Sequence, residues 1–120
     1  MTRLWMRLGL SIALTATPAA LVMATERPGW EGVSAIFNRQ CVMCHSSVHG
    51  ASLGLSLDSY EAVLAGSSRG PVLVPGDAPA SELIRRLLGE STPRMPFLGV
   101  PLPQDEIDLI IRWVDAGLPR

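Results

Sequence analysis

The sequence predicts one small domain built from four short helices joined by turn-rich connections. The chain has 120 residues, a length typical of a single domain. Apolar residues recur at helical spacing in separate stretches, and no βαβ pattern accompanies them. Glycine and proline residues mark the connections between those stretches. These three observations indicate short helices separated by loops.

The first helix is predicted from Glu31 to the first cysteine of the chain. Val33, Ile36, Phe37 and Cys41 recur on one face at helical spacing. We therefore expect this helix to bury Phe37 in the core and to deliver Cys41 to the interior.

The second helix is predicted over residues 59–65, after a Ser/Gly-rich loop that covers residues 46–57. Asp58 with Glu61 three positions later is an N-cap pattern. Gly66 is expected to end the helix.

The third and fourth helices carry continuous apolar stripes. The third is expected to follow Asp77 or Ser81 as its cap and to end at Gly89. The fourth begins at Pro103, and Gly117 is its C-cap candidate. The stripes consist of Leu83, Ile84, Leu87 and Leu88 in the third helix, and Ile107, Ile110, Ile111 and Val114 in the fourth.

The chemically informative stretch is Cys41-Val42-Met43-Cys44-His45. It matches Cys-x-x-Cys-His, the attachment motif of a c-type haem. Two cysteines three positions apart on a helical turn lie on the same side of the backbone. Each thiol can then add to one vinyl group on a porphyrin edge, and His45 can ligate the iron. The motif therefore predicts one covalent haem c, bound through Cys41 and Cys44.

A Cys-x-x-Cys pair has two other common uses, as a redox dithiol and as half of a zinc site. A redox dithiol usually accompanies a βαβ pattern. A structural zinc site needs four ligands, but outside the motif the chain has only His49 and no further cysteine. His49 is also a candidate for the second iron ligand. Because it follows His45 by four residues, we expect it instead to be a solvated loop residue on the same side of the ring.

The N-terminus resembles a secretory signal. Arg3 and Arg7 form a basic region, residues 8–16 are apolar, and small residues precede a plausible cleavage site after Ala24. The apolar stretch as a whole, residues 8–24, is shorter than the roughly 20 residues that span a membrane. We therefore favour a cleaved signal, residues 1–24, over a retained anchor. Because bacteria attach haem covalently outside the cytoplasm, the expected location is the periplasm.

Elimination points to Met95 as the second axial ligand. Of the five methionines, Met1, Met6 and Met23 lie in the predicted signal. Met43 lies between the two cysteines, on the wrong side to reach the far face of the iron. A thioether opposite a histidine is a known haem pairing that raises the reduction potential. The alternative is a core methionine that fills a gap.

Met95 lies in a proline-rich segment, residues 89–103, which we call the methionine strap. Four prolines occur between residues 93 and 103, which excludes a helix or a central strand. Pro96 also biases Met95 away from helical geometry. A stiff segment suits a weak iron–thioether bond, because less entropy is lost when the bond forms.

Other side chains have expected roles around the haem. A backbone carbonyl in residues 71–75 is expected to accept a hydrogen bond from the His45 ring. Tyr60, Arg85 and Arg86 are candidates to bind the haem propionates. The alternative for Tyr60 is a half-buried core position, and for the two arginines it is a solvated surface position. Trp113 is expected to pack against the first helix or the haem edge.

The charge balance excludes some partners. The formal net charge is −1, and the sequence contains no lysine. A basic patch of the kind that binds nucleic acid is therefore not expected. Redox partner proteins of unknown identity remain the expected partners, with a membrane-associated complex as an alternative.

The motifs together resemble a class I mono-haem cytochrome c, and more narrowly the planctomycete-type cytochrome c domain. The matching segments are residues 41–45, 54–58, 74–77 with 81–83, 94–96 and 111–117. The resemblance implies an all-α cytochrome c fold around one haem over residues 25–120. It also implies covalent links at Cys41 and Cys44, with His45 and Met95 as the iron ligands.

The expected function is periplasmic transfer of single electrons through that haem, without substrate chemistry. Two alternatives stay open. If Met95 leaves the iron open, the protein is a haem enzyme or a gas or redox sensor. In the second alternative, the domain is an electron-transfer subunit of a larger dehydrogenase complex.

Overall fold

Four α-helices dominate the computed structural model, which describes residues 27–120. The predicted signal, residues 1–24, lies outside the described residues. In chain order the elements are α1 (Trp30–Gln40), β1 (His45–Ser46), β2 (Gly50–Ala51), a 3₁₀ turn (Ser52–Gly54), α2 (Tyr60–Ala65), α3 (Glu82–Leu88) and α4 (Gln104–Asp115). The helical prediction is confirmed, with one addition: β1 and β2 pair antiparallel in a tiny hairpin.

The core forms where α1 and α4 pack together and α3 packs on α4. The apolar stripes explain this arrangement, because Phe37 of α1 and Ile110 of α4 are both buried. Trp113 is completely buried, and its ring lies 5.8 Å from that of Trp30 on α1. The expected packing of Trp113 against the first helix is therefore confirmed. The indole N–H of Trp113 also donates to the Pro119 carbonyl at 2.7 Å, which holds the C-terminal residues on the core.

The second helix begins one residue later than predicted. Ser59, and not Asp58, occupies the N-cap, where its hydroxyl accepts a hydrogen bond from the Ala62 amide at 3.2 Å. Asp58 instead accepts from both the amide and the hydroxyl of Ser47, at 2.9 and 2.7 Å. These two hydrogen bonds lower the pKa of the Asp58 carboxyl. The predicted Asp58 cap is therefore wrong: Ser59 is an equally good capping residue, and the loop partner of Asp58 lies eleven residues away in the sequence.

The third helix begins after Ser81 and ends at Gly89, as predicted, although Ser81 does not cap it with its side chain. The hydroxyl of Ser81 donates to the Asp77 carbonyl and accepts from the Val74 amide, both at 2.9 Å. Ser81 is fully buried, so these bonds satisfy a polar group that would otherwise be costly in the core. They also tie the start of α3 to the extended segment before it.

One close backbone contact fixes the chain between α2 and α3. Gly66 has a φ of 78° and lies at the C-cap of α2. A Cβ atom at Gly66 would lie 2.5 Å from the Gly70 carbonyl oxygen and 2.7 Å from the Pro71 Cα. Only glycine allows the chain to turn this closely, and the turn sets the course of residues 70–72.

No helix within residues 27–120 has the length and apolar character needed to cross a membrane.

Candidate functional site

A cavity of about 690 Å³ opens between the end of α1, the hairpin, α3, α4 and the methionine strap. This volume lies within the ~300–1,000 Å³ typical of small-molecule and cofactor sites. Its wall is mainly apolar, and buried Phe37, Leu57, Leu87 and Ile110 contribute to it. All four residues predicted to hold the haem line it: Cys41, Cys44, His45 and Met95.

The two cysteines reach the cavity from a tight turn at the end of α1. Cys41 is the C-cap of that helix, and its amide donates to the Phe37 carbonyl at 2.9 Å. The amides of Cys44 and His45 both donate to the Cys41 carbonyl, at 3.2 and 3.0 Å. All three motif residues on this turn line the cavity.

The surroundings of the two thiols differ. Burial, together with the nearby carboxylate of Glu106, raises the pKa of the Cys41 thiol to about 12. Cys44 is exposed. A thioether carries no charge, so the buried position of Cys41 is compatible with a sulfur–carbon link to an apolar ring edge.

The imidazole of His45 has a fixed orientation. Its Nδ1 lies 3.2 Å from the Leu55 carbonyl oxygen. A carbonyl can only accept, so Nδ1 carries the proton and Nε2 keeps a free lone pair for a metal. The backbone of His45 is held as well, since its carbonyl accepts from the Leu57 amide at 2.8 Å. The predicted acceptor in residues 71–75 was therefore wrong: the carbonyl belongs to the loop that follows the hairpin.

Met95 lies on the methionine strap, half-buried against the core and lining the cavity. Its amide donates to the Arg86 carbonyl on α3 at 3.0 Å. The other methionine of the described residues, Met43, is 76% exposed and does not line the cavity. His49 is also exposed and away from the cavity. Among the described methionines and histidines, the structure therefore brings only Met95 and His45 to this cavity.

Three charged side chains also line the cavity: Arg69, Glu82 and Arg86. Of the two arginines expected near the propionates, Arg86 lines the cavity, whereas Arg85 is exposed outside it. Tyr60 does not line it, because its hydroxyl donates to the Leu118 carbonyl at 2.7 Å. Arg69 was not predicted from the sequence as a site residue. The signal that could have identified it is its position in a Ser/Gly-rich turn directly before Gly70 and Pro71, which also line the cavity.

A second, smaller cavity of about 280 Å³ lies beside Trp30, Tyr60 and Arg120. It contains none of the four residues predicted to hold the haem. Of these two cavities, the larger one contains the residues that the sequence predicted to bind a haem.

The residues of the larger cavity fit a haem. They supply two cysteines on one turn, an imidazole with its Nε2 free, a thioether, and an apolar wall. Within residues 27–120 no group of three or more His, Cys, Asp or Glu side chains lies close enough together to hold a metal ion.

Comparison with known protein families matches residues 41–96 to the family described as Planctomycete cytochrome C. The match begins at the first cysteine of the motif and ends one residue after Met95. Searches of curated proteins and of solved structures gave no significant match.

Proposed function

We propose that this chain, which carries a planctomycete-type cytochrome c domain over residues 41–96, transfers single electrons through one covalent haem with His45 and Met95 on the iron. The domain implies a haem-based electron-transfer role and a covalently bound haem c. The ligand pair, the periplasmic location and the role of a free carrier belong to the proposal.

The observation that carries the proposal is the convergence of Cys41, Cys44, His45 and Met95 on one apolar cavity. Residues more than 50 positions apart in the sequence line the same space, and each has the chemistry that a c-type haem requires. When bound, the haem supplies an iron that changes oxidation state by one electron.

The protein's own contribution is to hold ligands and to limit water. The Leu55 carbonyl keeps the His45 Nδ1 protonated and its ring oriented. The buried apolar side chains of α1, α3 and α4 make the cavity wall, which keeps the dielectric low around any bound group. No substrate-binding acid/base pair is needed for this role.

The proposed location is supported by haem chemistry and by the N-terminal sequence. Covalent haem attachment outside the cytoplasm and the signal-like residues 1–24 support a periplasmic protein. Redox proteins are the proposed partners, either in free exchange or within a membrane-associated dehydrogenase complex.

The test is expression in a host that matures c-type cytochromes, followed by a pyridine haemochrome spectrum and intact mass. We expect one haem attached through two thioethers. A colourless product with two free thiols and no added mass would refute the proposal.

The ligand assignment is tested with Met95→Leu against the control Met43→Leu. Oxidised wild-type protein should show the weak near-infrared band of thioether ligation, and Met95→Leu should lose it. Met95→Leu should also bind carbon monoxide readily when reduced and have a lower reduction potential, because the thioether favours the reduced iron. Met43→Leu changes the same side chain at an exposed position and should match the wild type. If wild-type protein already lacks the band and binds carbon monoxide, an enzyme or sensor with an open site is the better description.

A further inference from the structure

The side of α3 that faces the cavity contacts the methionine strap at several points. Two charged residues on it, Glu82 and Arg86, line the same cavity as Met95. Neither residue is needed to explain how a haem is attached or ligated. Their contacts with the strap suggest a separate role.

Arg86 holds the strap on both sides of Arg94. Its backbone carbonyl accepts from the Met95 amide at 3.0 Å. Its guanidinium Nη1 donates to the Pro93 carbonyl at 3.3 Å, and its Nε donates to Glu82 at 2.7 Å. The Arg86 side chain therefore joins α3 to Pro93, two positions before the proposed ligand Met95.

Glu82 holds the start of the same segment. One carboxylate oxygen accepts from Arg86, and the other accepts from the Ser91 hydroxyl at 3.1 Å. The hydrogen bonds from Arg86 and Ser91 lower the pKa of the Glu82 carboxyl, so it stays charged at neutral pH. Charge-assisted hydrogen bonds of this kind are about twice as strong as neutral ones.

Part of the strap receives little support from apolar burial. Leu98 and Val100 are 91% and 85% exposed and do not line the cavity, whereas Phe97 lines it. Within the strap only Leu102 is fully buried, and Met95 is half-buried. Because burial of apolar surface is the dominant favourable term in folding, the exposed part of this strap relies more on its polar contacts with α3.

We propose that Arg86 and Glu82 are positioning residues for Met95, which hold the methionine strap closed over the cavity and thereby keep other ligands from the iron. This inference rests on the proposed function. It concerns the equilibrium between a closed strap, with the Met95 sulfur directed at the cavity, and an open strap. An added ligand can bind the iron only in the open form, so its apparent affinity reports the open fraction.

The experiment uses haem-loaded, oxidised protein and imidazole as the added ligand. Arg86→Gln removes both side-chain hydrogen bonds of the guanidinium, and Glu82→Gln weakens both contacts of the carboxylate. We expect imidazole to bind about 10-fold more tightly to Arg86→Gln, because the open strap is more populated once the guanidinium no longer donates to Pro93 and Glu82. The Met95 amide should also exchange its hydrogen faster in the reduced protein.

Arg85→Gln is the matched control. It removes the same charge from the neighbouring position of α3, and Arg85 also pairs with Glu82, at 3.5 Å. Its side chain lies outside the cavity lining and makes no hydrogen bond to Pro93. Imidazole affinity in this variant should stay within about 2-fold of the wild type, because exposed ion pairs contribute little.

A milder variant covers the case in which Arg86→Gln yields no loaded protein. Ser91→Ala removes only the contact with Glu82, without a change of charge, and should raise imidazole affinity by roughly 3-fold. The inference fails if Arg86→Gln, or Ser91→Ala in its place, binds imidazole like Arg85→Gln while the wild type shows thioether ligation. If the wild type shows no thioether ligation, the proposed function fails first.

Discussion

Replacing Gly66 by alanine should destabilise this domain more than any comparable glycine substitution outside the cavity wall. The residue combines a φ of 78° with a ψ of −152°, a region that is essentially restricted to glycine. An added methyl group would also meet the Gly70 carbonyl oxygen at 2.5 Å and the Pro71 Cα at 2.7 Å. Both contacts are with backbone atoms, which cannot move aside as a flexible side chain can.

The expected magnitude follows from these two causes. The backbone conformation costs about 1–3 kcal/mol for a residue with a Cβ. Overpacking adds about 1–3 kcal/mol. We therefore expect Gly66→Ala to lower the free energy of unfolding by roughly 2–6 kcal/mol. For a domain of this size each kcal/mol lowers Tm by about 4–8 °C.

Gly76→Ala is the control, because Gly76 also has a φ of 78° but would place its Cβ with nothing within 4 Å. It should lower the free energy of unfolding by only about 1–2 kcal/mol. Both variants are measured by urea unfolding of the haem-loaded protein, followed by far-ultraviolet circular dichroism. Visible circular dichroism should also change in Gly66→Ala alone, since Gly70 and Pro71 line the cavity. If Gly66→Ala is no less stable than Gly76→Ala, the close contact of Gly66 with the Gly70 and Pro71 backbone does not control stability, and this explanation is refuted.

Two further substitutions test other features of the fold. Ser81→Ala removes the fully buried hydroxyl that accepts from the Val74 amide and donates to the Asp77 carbonyl, so urea unfolding should show a loss of about 1–3 kcal/mol. Ser34→Ala, which removes an exposed bond, should cost less than about 0.5 kcal/mol. Asp58→Asn should be less stable than the wild type at pH 7, because the bonds from Ser47 favour the charged carboxylate and lower its pKa. That stabilisation is present above the unfolded pKa of about 3.9 and disappears as pH falls through the lowered folded value. Urea unfolding at pH 7 and at pH 3 should therefore show the difference narrowing in acid, and a gap of constant size would contradict this explanation.

The short-range features of the chain were readable from sequence because they depend on neighbours within one or two helical turns. The spacing of Cys41, Cys44 and His45 placed three side chains on one turn. The apolar stripe of α4 predicted which residues are buried, and Gly89 marked the end of α3. Met95 became a candidate by elimination, with no knowledge of the fold.

Contacts between distant segments were predicted poorly or not at all. The acceptor for the His45 ring is Leu55, ten residues along, and the sequence pointed to a different segment. The cap of α2 was assigned to Asp58, whose real partner is Ser47. For the cap of α2, Asp58 and Ser59 had equal local merit; for the acceptor, no local pattern indicated Leu55, because the path of the loop determines which carbonyl lies near the ring.

The sequence by itself determined the chemistry of this protein: which residues can hold a haem, and which stretches become helices, since both depend on residue type and local spacing. Only the tertiary structure decided which carbonyl orients the imidazole, that Arg69 and not Arg85 reaches the cavity, and that α3 contacts both sides of the methionine strap. These choices depend on how segments far apart in the chain pack around a shared core. The local sequence pattern carries no information about which distant segments come into contact.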